Sequence, residues 1–200
     1  MAKLLVIDNF DSFTYNLVQM FMSYDIEIFV YRSNSISVEE IISHKPDYLL
    51  ISPGPKDPAS SGISIPVIKA LGKTIPTLGV CLGMQCINEV FGGATVRSKI
   101  PVHGKTSIIT HTKNGLFKGV PSPFKAARYH SLMTKVTSAD LVITSLSDDN
   151  VIMGLSHKTY PIHGVQFHPE SFLTQYGTMI IKNFLNLGPL KSHGKNGRNL

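Results

Sequence analysis

Gly79-Val80-Cys81-Leu82-Gly83 is the segment of this chain best suited to covalent chemistry. A β-rich run ends there, the chain turns, and a helical pattern begins. The segment therefore has the shape of a nucleophile elbow with cysteine in place of serine. Small residues two before and two after the nucleophile make room for the crowded turn. Such a turn lifts the Cys81 sulfur above a sheet edge and sets it at a helix N-terminus, where backbone N–H groups and the helix dipole favour a thiolate. A free thiol has a pKa of about 8.5, so that help matters at neutral pH. An isolated cysteine between two turn glycines is more often a buried structural residue. Here the strand-turn-helix context argues for the nucleophile.

A thiolate nucleophile needs a base, and the base needs an orienting group. Val165-Gln166-Phe167-His168-Pro169-Glu170 offers both. His168 and Glu170 are two apart at the end of an apolar run, so they point the same way in extended backbone. Pro169 pushes His168 toward that geometry. A carboxylate beside the imidazole fixes its tautomer and raises its basicity. Alone, the pair also fits a capped strand end with a solvated glutamate. In series with the elbow it forms a candidate Cys81-His168-Glu170 triad.

An oxyanion hole needs backbone donors. One is the Leu82 N–H. Another comes from Ile51-Ser52-Pro53-Gly54-Pro55, where the prolines have no N–H and Gly54 is the donor available. That loop also reads as a simple strand end. Gln85, four residues past Cys81, shares its helix face. It either reaches a substrate amide or carboxylate, or is an ordinary polar residue at the mouth of the helix. Cys86 lies about 140° round from Cys81 and is expected to face the core. The other histidines show no metal-ligand spacing, and no Walker or dinucleotide glycine loop is present.

The elements that must position these groups follow from periodicity. Lys3–Asp8, Ile26–Tyr31, Tyr48–Ser52 and Ile75–Val80 read as buried strands. Between them lie helical patterns. Asp11-Ser12 is expected to cap the first, with Phe13, Leu17, Met20 and Phe21 on its apolar face. Ser37 with Glu40 forms a capping box. Ile65–Leu71 and Leu82–Phe91 complete the set, the last stopping at Gly92-Gly93. This alternation predicts an α/β fold, a flavodoxin-like, mostly parallel sheet flanked by helices. The second half reads as short strands at Ala94–Arg97, Thr106–His111, Ala126–Tyr129, Leu141–Leu146, Ile152–His157 and Ile162–Phe167. Some of these extend the sheet and some form a small antiparallel extension. Thr174–Leu187 is a final amphipathic helix. Residues 1–187 are read as one domain, and residues 188–200 as a polar tail with no core-forming pattern, expected to be mobile.

Gly79-Val80-Cys81-Leu82-Gly83-Met84-Gln85, Ser52-Pro53-Gly54-Pro55 and His168-Pro169-Glu170-Ser171 together resemble the class I glutamine amidotransferases, over roughly residues 3–187. Asp8–Leu17, His103-Gly104-Lys105 and Arg128-Tyr129-His130-Ser131-Leu132 are similar to the branch serving chorismate-using synthases, those of anthranilate and of aminodeoxychorismate. The resemblance implies that Cys81 attacks the side-chain amide of glutamine and that His168, oriented by Glu170, moves the protons. Gly54 and Leu82 would hold the oxyanion. Gly54, Pro55, Lys56, Gln85, Ser131 and Leu132 would bind glutamine. Ammonia would pass to a separate synthase subunit, which adds it to chorismate. No cofactor is implied for this subunit, and the family's synthase partner uses Mg2+. Lys56, Met84 and Cys86 stand where this branch usually has Gly, His and Ala. The same resemblance makes the Asp8–Leu17 segment a surface facing the synthase. A phosphate loop there is disfavoured by Asp8, Asp11 and the lack of glycines.

The chain has 200 residues, 42% apolar and 16% charged, which suits a folded domain and excludes wholesale disorder. Two cysteines make no disulfide framework, and no apolar run reaches a signal-peptide core or a membrane span. A cytoplasmic protein without membrane or nucleic-acid partners is expected. The net charge of +6 is uneven. Residues 1–90 carry −3 and residues 140–187 carry −2. Residues 91–139 hold eight basic side chains and no acid, and 188–200 adds +3. No aromatic stacking platform accompanies the basic stretch, so it reads as a solvated face or as a patch meeting an acidic surface on the synthase. A stand-alone cysteine hydrolase of γ-glutamyl substrates is the competing enzyme. A binding module that keeps its function without Cys81 is the competing non-enzyme.

Overall fold

The computed structural model describes residues 1–190. Its first half alternates strands and helices: β1 (Ala2–Asp8), α1 (Thr14–Met22), β2 (Ile26–Arg32), α2 (Val38–Ser43), β3 (Tyr48–Ile51), α3 (Ser64–Leu71), β4 (Thr77–Val80) and α4 (Leu82–Val90). Then come β5 (Ala94–Arg97), β6 (Lys105–His111), β7 (Phe124–Arg128), β8 (Leu132–Lys135), β9 (Leu141–Ser147), β10 (Ile152–His157), β11 (Ile162–Val165) and α5 (Gly177–Leu185). Nine strands form one sheet in the order β2-β1-β3-β4-β11-β10-β9-β6-β7. The pairs from β2 to β11 are parallel. From β11 onward the pairs are antiparallel. β5 and β8 make a separate two-stranded antiparallel flap.

Alternation along the strands builds a core on each face. In β1, Leu4 and Val6 join one apolar cluster while Leu5 and Ile7 join the other. Leu17 and Phe21 of α1 and Ile180, Ile181 and Phe184 of α5 cover the first face. Ile41 of α2, Val67 and Ile68 of α3, and Met84, Cys86 and Ile87 of α4 cover the second. The central strands of the parallel half are thus buried on both sides, which is why β3 and β4 are buried at every residue.

Local chemistry explains most boundaries. Ser37 Oγ accepts the Glu40 N–H while Glu40 Oε2 accepts the Ser37 N–H, closing the expected capping box on α2. The expected cap on α1 is not made. α1 begins at Thr14 with no side-chain cap, because Asp11 Oδ1 accepts the Phe13 N–H and closes a turn before the helix. Asp8 Oδ1 meanwhile takes the N–H groups of Phe10 and Asp11 and the Thr14 hydroxyl. These amides are already occupied by a carboxylate, so no phosphate cradle exists there. β8 was not expected. Its four residues pair only on one side, with β5, and carry no alternating pattern long enough to read. α5 is shorter than its pattern and starts after Tyr176, which holds a left-handed φ of 60°.

Of the tail expected from residue 188, residues 191–200 lie outside the described residues. Residues 188–190 are attached: the Tyr48 hydroxyl donates to Leu185 O at 2.7 Å and accepts the Leu190 N–H at 2.8 Å. Arg128, one of the basic side chains between residues 91 and 139, is not on the surface at all. It is 1% exposed and paired with Asp149 at 2.8 Å. Among the described residues no helix is long and apolar enough to cross a membrane.

Candidate active site

Three neighbouring strands of the parallel half end at one edge, and the loops that follow them build the site. β4 delivers Cys81, whose backbone sits at φ 53° and ψ −103°. A non-glycine residue there costs about 1–3 kcal/mol and is held only by its surroundings. The Cys81 N–H donates to Val165 O at 2.8 Å, tying the elbow to β11. The flanking glycines are steric requirements. A Cβ on Gly79 would lie 2.4 Å from Gly83 C, and one on Gly83 would lie 2.3 Å from Ile51 O. Helix α4 and strands β3 and β4 thus pack backbone to backbone directly beneath the nucleophile.

β3 delivers the Ser52–Lys56 loop. Asn9, buried after β1, holds it. Its N–H donates to Ser52 Oγ, its Nδ2 donates to Ser52 O, and its Oδ1 accepts the Ser64 hydroxyl. Gly54 lies so close that a Cβ there would come 2.5 Å from Asn9 Cβ and 2.7 Å from Leu82 Cδ2. The two expected oxyanion donors are therefore neighbours, and among the described residues neither N–H makes a hydrogen bond. Pro55 and Lys56 project from the loop and are exposed. Lys56 holds φ 66°, a left-handed conformation that glycine adopts without strain. This explains physically why a glycine is usual at the position.

β11 delivers His168, the candidate base. Beyond Val165 the chain bends at Gln166 and Phe167 and turns at Pro169 and Glu170, so the extended backbone expected for this segment is not formed, yet Gln166 reaches the Cys81 sulfur and His168 meets Glu170. The His168 N–H donates to Ala127 O at 3.1 Å, and the Thr174 hydroxyl donates to His168 O at 2.6 Å. The first residue of α5 abuts the same loop, a Cβ on Gly177 reaching 1.9 Å from Pro169 O. His168 Nδ1 lies 2.6 Å from Glu170 Oε1, and both side chains are buried. A carboxylate can only accept, so Nδ1 carries the proton and Nε2 is the nitrogen left free of Glu170. Nε2 has no hydrogen-bond partner in the resting site. Burial by itself would lower the His168 pKa, but the adjacent Cys81 sulfur and Glu170 carboxylate favour imidazolium and raise it above the ordinary 6.5. The ring packs edge-on against Tyr129 and Phe13, with centroids 5.0 and 5.6 Å away.

The flap and α4 form the remaining wall. Gln85 is buried, and its Nε2 donates to Gln166 Oε1 at 3.1 Å and to Leu132 O at 3.4 Å. Leu132 and Gln85 are thus brought together, while Ser131 is exposed beside them. Cys86 points into the core on the far side of α4, and burial pushes its thiol up to about 12. It is inert beside Cys81. Behind Glu170, a cavity of about 490 Å³ lies between α1 and the 170–172 loop. Phe172 at its rim is 93% exposed. No group of three or more His, Cys, Asp or Glu side chains among the described residues is placed to hold a metal.

Sequence reasoning passed over Asn9, Gln166 and Phe13. Gln166 carried a readable signal, since it precedes His168 by the same two-residue step that separates His168 from Glu170. Asn9 and Phe13 carried none, because their contacts come from distant loops.

A model of the glutamine amidotransferase class-I family matches residues 5–187. The chain is 50% identical to the bifunctional protein TrpGD of Thermotoga maritima over 94% of its own length, and spans about a third (32%) of that protein. It is 48% identical to anthranilate synthase component 2 of Azospirillum brasilense, covering 92% of this chain and 95% of the relative. It is 46% identical to aminodeoxychorismate/anthranilate synthase component 2 of Bacillus subtilis, covering 91% and 95%. Among solved structures, a putative GMP synthase component from Thermoplasma acidophilum superposes with a TM-score of 0.85 at 27% identity, covering 94% of each chain.

Proposed function

The chain belongs to the class-I glutamine amidotransferase family, and from that premise we propose that it is the glutaminase subunit of anthranilate synthase. It would hydrolyse L-glutamine and hand ammonia to a chorismate-using synthase subunit. The observation that carries the reading is Cys81 in a strained elbow, beside an imidazole whose far nitrogen is locked to a buried carboxylate.

The chemistry follows from the placement. The Cys81 thiolate attacks the side-chain carbonyl carbon of glutamine. The Gly54 and Leu82 N–H groups receive the oxyanion. The His168 imidazolium gives its Nε2 proton to the departing amine, so ammonia leaves and a γ-glutamyl thioester remains. Neutral His168 then takes a proton from water, the hydroxide attacks the thioester, and glutamate departs with the thiolate restored. Glu170 holds the imidazole in register for both transfers. Gln85, Ser131, Leu132 and loop residues 54–56 line the space for the substrate's backbone end, and Gln85 Oε1 is free to accept from its ammonium. No step calls for a cofactor in this subunit.

The partner is a separate synthase subunit, as the component 2 names of the relatives suggest. Phe172 and the 61% exposed Tyr15 are apolar groups near the site that such a partner would cover. The name of the Bacillus subtilis relative favours a second reading, in which the subunit serves aminodeoxychorismate synthesis as well. The test is Cys81→Ser in the reconstituted complex. Glutamine-dependent product should vanish while product from added ammonia persists. Equal loss of both would contradict the two-site scheme. Cleavage of γ-glutamyl peptides, indifferent to the synthase, would identify a stand-alone hydrolase instead.

A further inference from the structure

Buried hydrogen bonds run without a break from Arg128 to the nucleophile. Arg128 Nη1 donates to Asp149 at 2.8 Å and to the Ser107 hydroxyl at 2.9 Å. Its Nε donates to His130 Nε2 at 3.1 Å. His130 Nδ1 meets Leu132 O at 2.8 Å. Gln85 Nε2 donates to that same carbonyl and to Gln166 Oε1. Gln166 Nε2 donates to Cys81 Sγ at 3.4 Å.

Every donor and acceptor along this path is forced. A guanidinium cannot accept, so His130 Nε2 must be the bare nitrogen and Nδ1 must carry the proton. A backbone carbonyl cannot donate, so Gln85 must turn its NH₂ toward Leu132. The second hydrogen of that NH₂ fixes Gln166 Oε1 toward Gln85. The Gln166 NH₂ is then left facing the sulfur. Gln166 is wholly buried and Gln85 is 2% exposed, so water offers neither amide an alternative. A flipped Gln166 would set two NH₂ groups against each other and an oxygen against a thiolate.

We propose that Gln166 is a positioning residue for Cys81: its amide N–H, aimed by a hydrogen-bond chain anchored at Arg128, holds the sulfur in line and favours its anionic form. The proposal rests on Cys81 being the nucleophile. A hydrogen bond from a fixed donor stabilises an anion in a dry site and costs nothing in reorganisation when the anion forms. Gln166 thereby holds the sulfur from one side, with the His168 ring nearby and the elbow backbone beneath. The other titratable groups facing this pair are Glu170 behind His168, Tyr129 packed edge-on against the His168 ring, and His130 beyond it. Burial and the Arg128 charge keep His130 neutral, with a pKa lowered to about 4, so its bare Nε2 and protonated Nδ1 persist throughout the neutral range.

The experiment follows alkylation of the Cys81 peptide by iodoacetamide across a pH series, read by mass spectrometry, beside glutaminase kinetics in the complex. Gln166→Leu should move the alkylation midpoint up by about one pH unit and lower kcat about tenfold, with KM for glutamine changing less than about threefold. Gln166→Glu keeps the volume and the acceptor facing Gln85 but places a carboxylate at the sulfur, and should move the midpoint further. An alkylation profile that coincides with the parent's in either folded variant overturns the proposal, as does a loss confined to KM. If Gln166→Leu does not fold, Gln166→Glu alone decides. A Cys81→Ser protein that keeps its glutaminase activity would instead overturn the nucleophile assignment, a different failure from an unmoved Gln166 profile.

Discussion

Nothing larger than hydrogen fits at Gly83, where a Cβ would press to 2.3 Å from the Ile51 carbonyl oxygen. Both groups belong to backbone, so neither can swing away. Gly83→Ala should therefore cost about 2–3 kcal/mol in urea denaturation, the range for overpacking a rigid core. Most of the glutaminase activity should go with it, since the push is transmitted to the elbow two residues away. Wild-type stability in that variant would mean that α4 can slide off β3 freely. Lys56 is the contrasting case. Its φ of 66° is strained, but its side chain is exposed and has room. At this scale the meeting of Cys81, His168 and Glu170 was readable because the candidate chemistry needs particular residue types at fixed spacings. The elbow glycines were readable for the same reason. Asn9 was not, because its role as a clamp on the Ser52 loop exists only once two loops far apart in sequence meet.

One side chain of α4 reaches both strands of the β5–β8 flap. Asn88 Nδ2 donates to Ala94 O at 3.1 Å and to Lys135 O at 3.4 Å, reaching both strands. Asn88→Ala removes that tie and leaves two carbonyls without its donor, which should cost about 1–3 kcal/mol in denaturant melts. Because β8 begins at Leu132, whose carbonyl holds Gln85, KM for glutamine should rise as well. A variant equally unstable but with unchanged KM would show that the flap is structural only. The strands of the parallel half were legible because burial on both faces leaves an unbroken apolar run. β8 was missed because a four-residue strand with one partner and half-buried side chains leaves no such trace. The α1 cap was misjudged for a related reason. Asp11 is a good capping residue, but it serves a turn before the helix.

Taken whole, the molecule buries histidines in opposite senses. Burial lowers His130 and His163 to about 4, so their neutral forms stabilise the fold above pH 6.5 and that contribution drains away as pH falls toward 4. His168 is raised, so its contribution is complete below 6.5 and is lost as pH rises toward its folded value. Thermal melts should therefore peak near pH 6.5, with an acid limb of up to about 3 kcal/mol per pH unit from the two lowered groups. His163→Gln should flatten that limb, and an unchanged slope would remove His163 from the account. The fold class was legible from strand-helix alternation. The strand order was not, because pairing between distant segments leaves no local pattern. One consequence of that order concerns synthesis. β11 is the last strand among the described residues, yet it lies between β4 and β10. While the polypeptide is being made, β4 presents an open edge until some eighty further residues have emerged. Cys81 waits beside that edge without His168. Insertion of β11 closes the sheet and brings His168 to Cys81 in the same movement, so under the proposed mechanism an unfinished chain has no working site.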